Sequence, residues 1–142
     1  MSEAFVLDCS VTMAWFFADE AAPATDTILD HLNRGGRAVV AQHWRLEVGN
    51  TLLMGERRKR CTAADAAHFL SILNALNIDT DPETGANATS ATLSLARAHE
   101  LTIYDAAYLE LAMRTNLPLA TLDKELRSAA KKVGVKSLPE KI

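Results

Sequence analysis

The chain repeatedly sets a short strand-like run between longer stretches of helical periodicity, and this alternation limits the folds open to it. Ala4 to Leu7 is a continuous apolar run, the pattern of a strand covered on both faces, and Ser10 is placed to cap a helix from Val11 to Ala18. Pro23 and the stripe of Ile28, Leu29 and Leu32 mark a second helix, stopped by Gly35 and Gly36 before a strand from Ala38 to Ala41. His43 to about Arg60 reads as a helix with Trp44, Val48 and Leu52 in a row. Thr62, with Asp65 three residues on, caps another that runs to Asn77. Ile78 to Asp81 reads as a short strand, and the segments Asn87 to His99 and Tyr104 to Thr115 carry helical periodicity. The apolar run Leu117 to Leu122, an amphipathic helix from Lys124 to Val133 and a last strand from Val135 to Leu138 complete the series. Such a series specifies an α/β domain with a mostly parallel sheet, helices on both faces and ligands at the carboxyl ends of the strands.

With 142 residues, 49% of them hydrophobic, the chain has the size of one compact domain, residues 1–142, with a full core. A charged fraction of 23% and a net charge of −3 exclude the global electrostatic footprint of a nucleic-acid binder, so any contact with RNA has to be local. No apolar stretch approaches the ~20 residues of a spanning helix, which excludes an integral membrane protein. Glu3 sits where a leader peptide would carry positive charge, so a cytoplasmic location is expected. Cys9 and Cys61 lack metal-ligand spacing and read as small structural side chains. His31, His43, His68 and His99 lack zinc spacing and read as structural or surface groups.

Four acids stand where an acid is energetically unfavourable. Asp8 follows Phe5, Val6 and Leu7 at the carboxyl end of the first strand, and Asp123 closes the run from Leu117 to Leu122, two residues after Thr121. On a helical wheel Asp105 lies in the middle of the stripe of Tyr108, Leu109, Ala112 and Met113, while Glu110 and Arg114 point away as a solvated pair. Glu47 borders the buried stripe of its helix beside Trp44, Thr51 and Met54, with Asn50 one turn along. Each acid alone also reads as a surface charge, and Asp8 as the cap of a turn. Together, inward carboxylates repel one another and must keep a proton or find a cation, and no Lys or Arg adjoins these four on the faces so drawn. Mg²⁺ or Mn²⁺, which prefer oxygen ligands, answer that need.

These residues, in the strings VLDCS, EVGN, YDAAYLELA and LATLDKEL, resemble the PIN-domain family in order and spacing over almost the whole chain. The resemblance implies a three-layer α/β/α sandwich with a mostly parallel sheet of four to five strands. It carries the family's acids onto Asp8, Glu47, Asp105 and Asp123, with Ser10, Asn50 and Thr121 in support. Asp8, Asp105 and Asp123 are then the expected metal ligands, and Glu47 either binds a second metal or orients the attacking water. Glu125 matches a fifth acid of some members and also reads as helix-surface charge.

The short length resembles the VapC branch, the toxin half of toxin–antitoxin pairs. That branch implies hydrolysis of RNA to a 5′-phosphate and a 3′-hydroxyl, a homodimer, and a VapB-type antitoxin whose basic side chain meets the carboxylates. Arg57, Arg58, Lys59 and Arg60 form the densest basic run, suited to RNA phosphates or equally to a solvated helix end. Trp15, Phe16 and Phe17 cannot share one helical face, which favours core or partner contact over base stacking. A phosphotransfer domain with an aspartyl-phosphate also places an Asp after its first strand, but its Asp-x-Asp pattern fails at Ser10. A housekeeping PIN nuclease and a binding module without turnover remain alternatives to the toxin.

Overall fold

A computed structural model describes residues 4–141. Glu3, on which the expected lack of a leader rests, lies outside the described residues. Five strands form one sheet: β1 (Ala4–Leu7), β2 (Arg37–Val40), β3 (Ile78–Thr80), β4 (Leu119–Ala120) and β5 (Ser137–Leu138). Every neighbouring pair is parallel, in the order β3-β2-β1-β4-β5. Phe5, Val6 and Leu7 are wholly buried because β1 is the central strand, which is why its sequence shows no polar alternation.

Among the described residues eight α-helices fill the connections: α1 (Cys9–Ala14), α2 (Pro23–Asn33), α3 (Trp44–Arg57), α4 (Ala63–Asn74), α5 (Thr84–Asn87), α6 (Ala91–His99), α7 (Ile103–Thr115) and α8 (Lys124–Lys132). The chain steps one way from β1 to β2 to β3, then crosses back to β4 and continues to β5. Right-handed crossovers therefore send the two sets of helices to opposite faces, the three-layer α/β/α sandwich expected. The reversal of direction falls between β1 and β4, the switch point at which parallel sheets open a crevice. None of the described helices is long and apolar enough to cross a membrane.

Several expected bounds move, each for a local reason. The first helix starts at Cys9, because Asp8 rather than Ser10 is its cap: the Asp8 side chain accepts the Val11 amide at 3.3 Å. It ends at Ala14 rather than Ala18, and the chain continues through a single 3-10 turn at Ala18–Glu20. The helix expected from Asn87 is broken into α5 and α6, since Ser90 takes a non-helical backbone conformation (φ −125°, ψ −101°). The apolar run Leu117 to Leu122 supplies only two paired residues, because β5 beside it is equally short. Thr62 and Asp65 form the reciprocal capping box that their spacing predicts.

The largest correction concerns α7. Ala106 to Ala112 are buried on every side, including Glu110, while Met113, placed in the inward stripe, is 43% exposed. The helix packs on β1 and β4 and is covered by α6 and α8, so it has no solvated face in its middle. Glu110 and Arg114 are accordingly not a solvated pair. Arg114 bonds Glu110 at 2.8 and 3.0 Å and reaches the buried Asp81 at 2.7 Å, with Glu83 at 3.4 Å. This cluster ties α7 to the segment just after β3.

The aromatic trio divides as its sequence requires. Phe17 enters the core, while Trp15 and Phe16 stay partly exposed. The Trp15 indole donates to the Thr25 carbonyl at 2.8 Å, and Phe16 rests on Phe69 of α4 with ring centres 4.9 Å apart.

Candidate active site

Asp8 leaves β1 at the switch point, 5% exposed. Its carboxylate takes the Ser10 hydroxyl at 2.6 Å in addition to the Val11 amide. Burial pushes its pKa up to about 6; the bonds from Ser10, Thr121 and Val11 oppose that rise, and the charge of Asp105 adds to it. Ser10 also accepts the Leu122 amide at 2.9 Å, and the wholly buried Thr121 accepts the Asp123 amide at 3.1 Å. The two hydroxyls lie 3.5 Å apart. They lace the end of β1 to the end of β4 and so fix Asp8 relative to Asp123.

Asp123 caps α8, accepting the Leu126 amide at 2.9 Å, and is itself exposed. Asp105 sits in the first turn of α7, whose cap Thr102 accepts the Asp105 amide at 3.1 Å. Burial raises its pKa first, and the charges of Asp123 and Glu47 raise it further, against smaller lowering effects of Thr102 and His43. Asp105 therefore feels Asp8, Asp123 and Glu47, and the four expected acids share one electrostatic neighbourhood.

Glu47 enters from the first turn of α3, half-buried, and its Oε1 accepts a short hydrogen bond from the Tyr108 hydroxyl. His43, one turn earlier, places Nε2 3.7 Å from the same oxygen and 3.0 Å from the Tyr104 carbonyl. Its ring lies edge-on to Tyr108 at 4.9 Å and to Tyr104 at 5.5 Å. Burial and the Glu47 carboxylate hold the Tyr108 phenol protonated, well above its ordinary value. Asn50 is exposed on the next turn of α3. Cys9 bonds Thr51 through sulfur at 3.8 Å, and burial pushes its thiol up to about 12, which makes it a poor nucleophile.

Tyr108 and His43 belong to this site although sequence reasoning placed the first in an apolar stripe and the second among structural groups. The signal was present in their spacing. His43 precedes Glu47 by one turn of α3, and Tyr108 follows Asp105 by one turn of α7, so each shares a face with an acid.

Of the basic run, Arg60 is committed elsewhere: it bonds Asp19 at 3.0 Å and Glu20 at 3.1 Å and lies 3.8 Å over the Phe17 ring. Arg57, Arg58 and Lys59 are exposed at the far end of α3, about 15 Å along the axis from Glu47. Glu125 is exposed on the first turn of α8.

Among the described residues no three His, Cys, Asp or Glu side chains converge into a ready metal cage. The donor set nevertheless fits a hard divalent ion. It consists of carboxylates, two of which, Asp8 and Asp105, have their proton affinity raised by burial and by neighbouring carboxylate charge, and among the described residues no Lys or Arg pairs with any of the four. Mg²⁺ keeps several waters and needs only one or two carboxylates, so a complete protein cage is not required.

The sequence profile of the PIN domain matches residues 5–132, and the chain belongs to that family. PIN domains are in general nucleases that use divalent metals. Among curated proteins none matches. Among solved structures, the chain is similar to PAE2754 from Pyrobaculum aerophilum, with 25% identity, a TM-score of 0.66 and coverage of 94% of this chain and 91% of that one. It shares the fold of VapC20, a toxin from Mycobacterium tuberculosis that cleaves the sarcin-ricin loop, with 17% identity, a TM-score of 0.64 and coverage of 88% and 94%.

Proposed function

We propose that the chain, acting as one domain, is a Mg²⁺- or Mn²⁺-dependent endoribonuclease, the toxin of a VapBC-type toxin–antitoxin pair. The observation that carries this reading is the set of carboxylates around the β1/β4 switch point, where Asp105 acts on Asp8 and both Asp123 and Glu47 act on Asp105, with no Lys or Arg paired to any of the four among the described residues. Asp8, Asp105 and Asp123 hold the metal, which when bound polarises the scissile phosphate and lowers the pKa of the attacking water. Ser10 and Thr121 fix the two strand ends that present Asp8 and Asp123. Glu47 orients the water and accepts its proton: Oε1 is taken by the Tyr108 hydroxyl, which leaves Oε2 for the water. Hydrolysis leaves a 5′-phosphate and a 3′-hydroxyl.

VapC20, which shares the fold, is a toxin that cleaves RNA, in keeping with the toxin assignment; a VapB-type antitoxin, a homodimer and a cytoplasmic site of action belong to the same proposal. A basic antitoxin side chain directed at the carboxylates would supply the cation that the site lacks. The test is Asp8→Asn, which keeps the shape and removes the charge, assayed for RNA cleavage with Mg²⁺ or Mn²⁺. Loss of at least a hundredfold is expected, on the order of a lost catalytic ligand, and unchanged cleavage sinks the site. Growth arrest on expression, relieved by a cognate antitoxin, separates the toxin from a housekeeping nuclease.

A further inference from the structure

The only strongly basic stretch outside the end of α3 is the last part of the described chain. Residues 124–141 carry Lys124, Arg127, Lys131, Lys132, Lys136 and Lys141 against Glu125 and Glu140, on a chain whose net charge is −3. The fold does not scatter these charges. Lys124, Arg127, Ser128 and Lys131 recur at helical spacing along one face of α8, and Lys136, just before β5, and Glu140, beyond it, line the other side. Between them runs an open trench of about 860 Å³. It begins at Lys124, one residue from Asp123, and follows α8 towards its carboxyl end, about 10 Å for the seven steps from Lys124 to Lys131.

Structural roles account for part of this charge. Lys131 lies in the last turn of α8, where the helix dipole favours a cation, and Lys136 guards the edge strand β5 and pairs with Glu140 at 2.7 Å. Lys124 has no such role: it stands in the first turn, where the same dipole disfavours a positive charge, and none of the described ion pairs includes it. Arg127 spends its guanidinium on the carbonyls of Thr121, Pro139 and Glu140, at 2.9, 2.7 and 3.3 Å, so its charge meets no carboxylate. Four of the residues lining the trench are thus cationic against the one carboxylate of Glu140, and at Lys124 the trench reaches the residue next in sequence to Asp123, the cap of α8.

From this arrangement we infer that the α8/β5 trench is the track for the phosphate backbone of the RNA strand, leading it to the carboxylate site at Asp123. The inference rests on the nuclease reading. Contacts of this kind are to phosphates alone, so the trench adds affinity and direction and leaves base choice to other surfaces.

The experiment measures binding of a fluorescein-labelled single-stranded RNA to the full chain in EDTA, where no cleavage occurs, by anisotropy over a series of salt concentrations. The variants are Lys124→Glu and Lys131→Glu, with Lys132→Glu as the control, because Lys132 makes the same charge change on α8 but does not line the trench. All three side chains are exposed, so the core is untouched. Lys124→Glu and Lys131→Glu are each expected to weaken binding about tenfold and to reduce the slope of log K against log salt by about 0.7, while Lys132→Glu changes binding less than twofold. Parental affinity and slope in the first two, or an equal loss in Lys132→Glu, overturns the trench. If Lys124→Glu and Lys131→Glu release an acidic peptide and bind RNA as the parent does, the trench serves a protein and the inference is equally overturned. A parent chain that cuts RNA while the trench variants bind normally removes the trench alone, whereas a parent that neither binds nor cuts RNA removes the nuclease reading with it.

Discussion

Asp8 combines burial with charge, and a single substitution separates the two. Its folded pKa stands near 6, above the ordinary 3.8, so the stability it contributes is fully present below the ordinary value and is lost as pH rises through 6. At neutral pH, without metal, the ionised carboxylate opposes folding. Asp8→Asn is therefore expected to raise the melting temperature of the metal-free protein at pH 7.5 by several degrees, about 2 kcal/mol, and to bring no gain at pH 4.5. Thermal melts in EDTA at the two pH values check this; a lower melting temperature at pH 7.5 would show that the charge itself holds the fold. Tyr108 offers a complementary test. Tyr108→Phe keeps the ring against His43 but removes the hydroxyl from Glu47. RNA cleavage is expected to fall about tenfold, through looser positioning of Glu47, with RNA affinity unchanged. A parental rate would remove Tyr108 from the machinery.

Among the elements, α7 shows where a helical wheel stops being informative. A wheel assigns faces but not neighbours, and the buried partner that Arg114 reaches beyond α7 is Asp81, 33 residues earlier. Nothing local in Glu110 and Arg114 distinguishes a buried bridge from a solvated one. The same gap hid the bond between Tyr108 and Glu47, which joins residues 61 apart. What the residues did announce was the strand-end acids, because β1 is buried on both faces and its apolar run can end in a carboxylate only at an edge of the sheet. The family resemblance named Ser10 and Thr121 as supports of the acids, but the bond of Ser10 to Leu122, which joins residues 112 apart, was not legible in the sequence.

The bridge itself makes a prediction. Arg114→Ala strands two buried carboxylates, Asp81 and Glu110, and is expected to destabilise the protein by about 3 kcal/mol, read from urea melts at pH 7. Burial alone would raise the pKa of Asp81, but the bonds from Arg114, the Glu83 amide and Thr84 outweigh it and hold the carboxyl below its ordinary value. Its stabilisation is thus present above pH 3.8 and lost as pH falls further. Melting temperatures of the parent should drop steeply below pH 4, and those of Asp81→Asn less so; parallel acid limbs would remove Asp81 from the bridge's contribution.

At the scale of the molecule, the carboxylates couple metal to folding, because they exist as a group only when the strand ends meet. Mg²⁺ at a hundred times its dissociation constant is expected to stabilise the parent by about 2.7 kcal/mol. Asp8→Asn should show almost none of that shift, which differential scanning calorimetry with and without Mg²⁺ would read. An equal shift in both would place the ion elsewhere.

The position of β1 in the middle of the sheet, paired on one side with β2 and on the other with β4, also has a consequence in time. Asp8 is made before Asp123, which follows it by 115 residues, a delay of roughly 6 to 23 seconds at the usual pace of synthesis. Until β4 emerges, a growing chain exposes one flank of β1 and holds Asp8 without its counterpart, so it has no assembled site. A protein that cuts RNA would thus be without its cutting site for as long as the stretch of message between those two codons is being read.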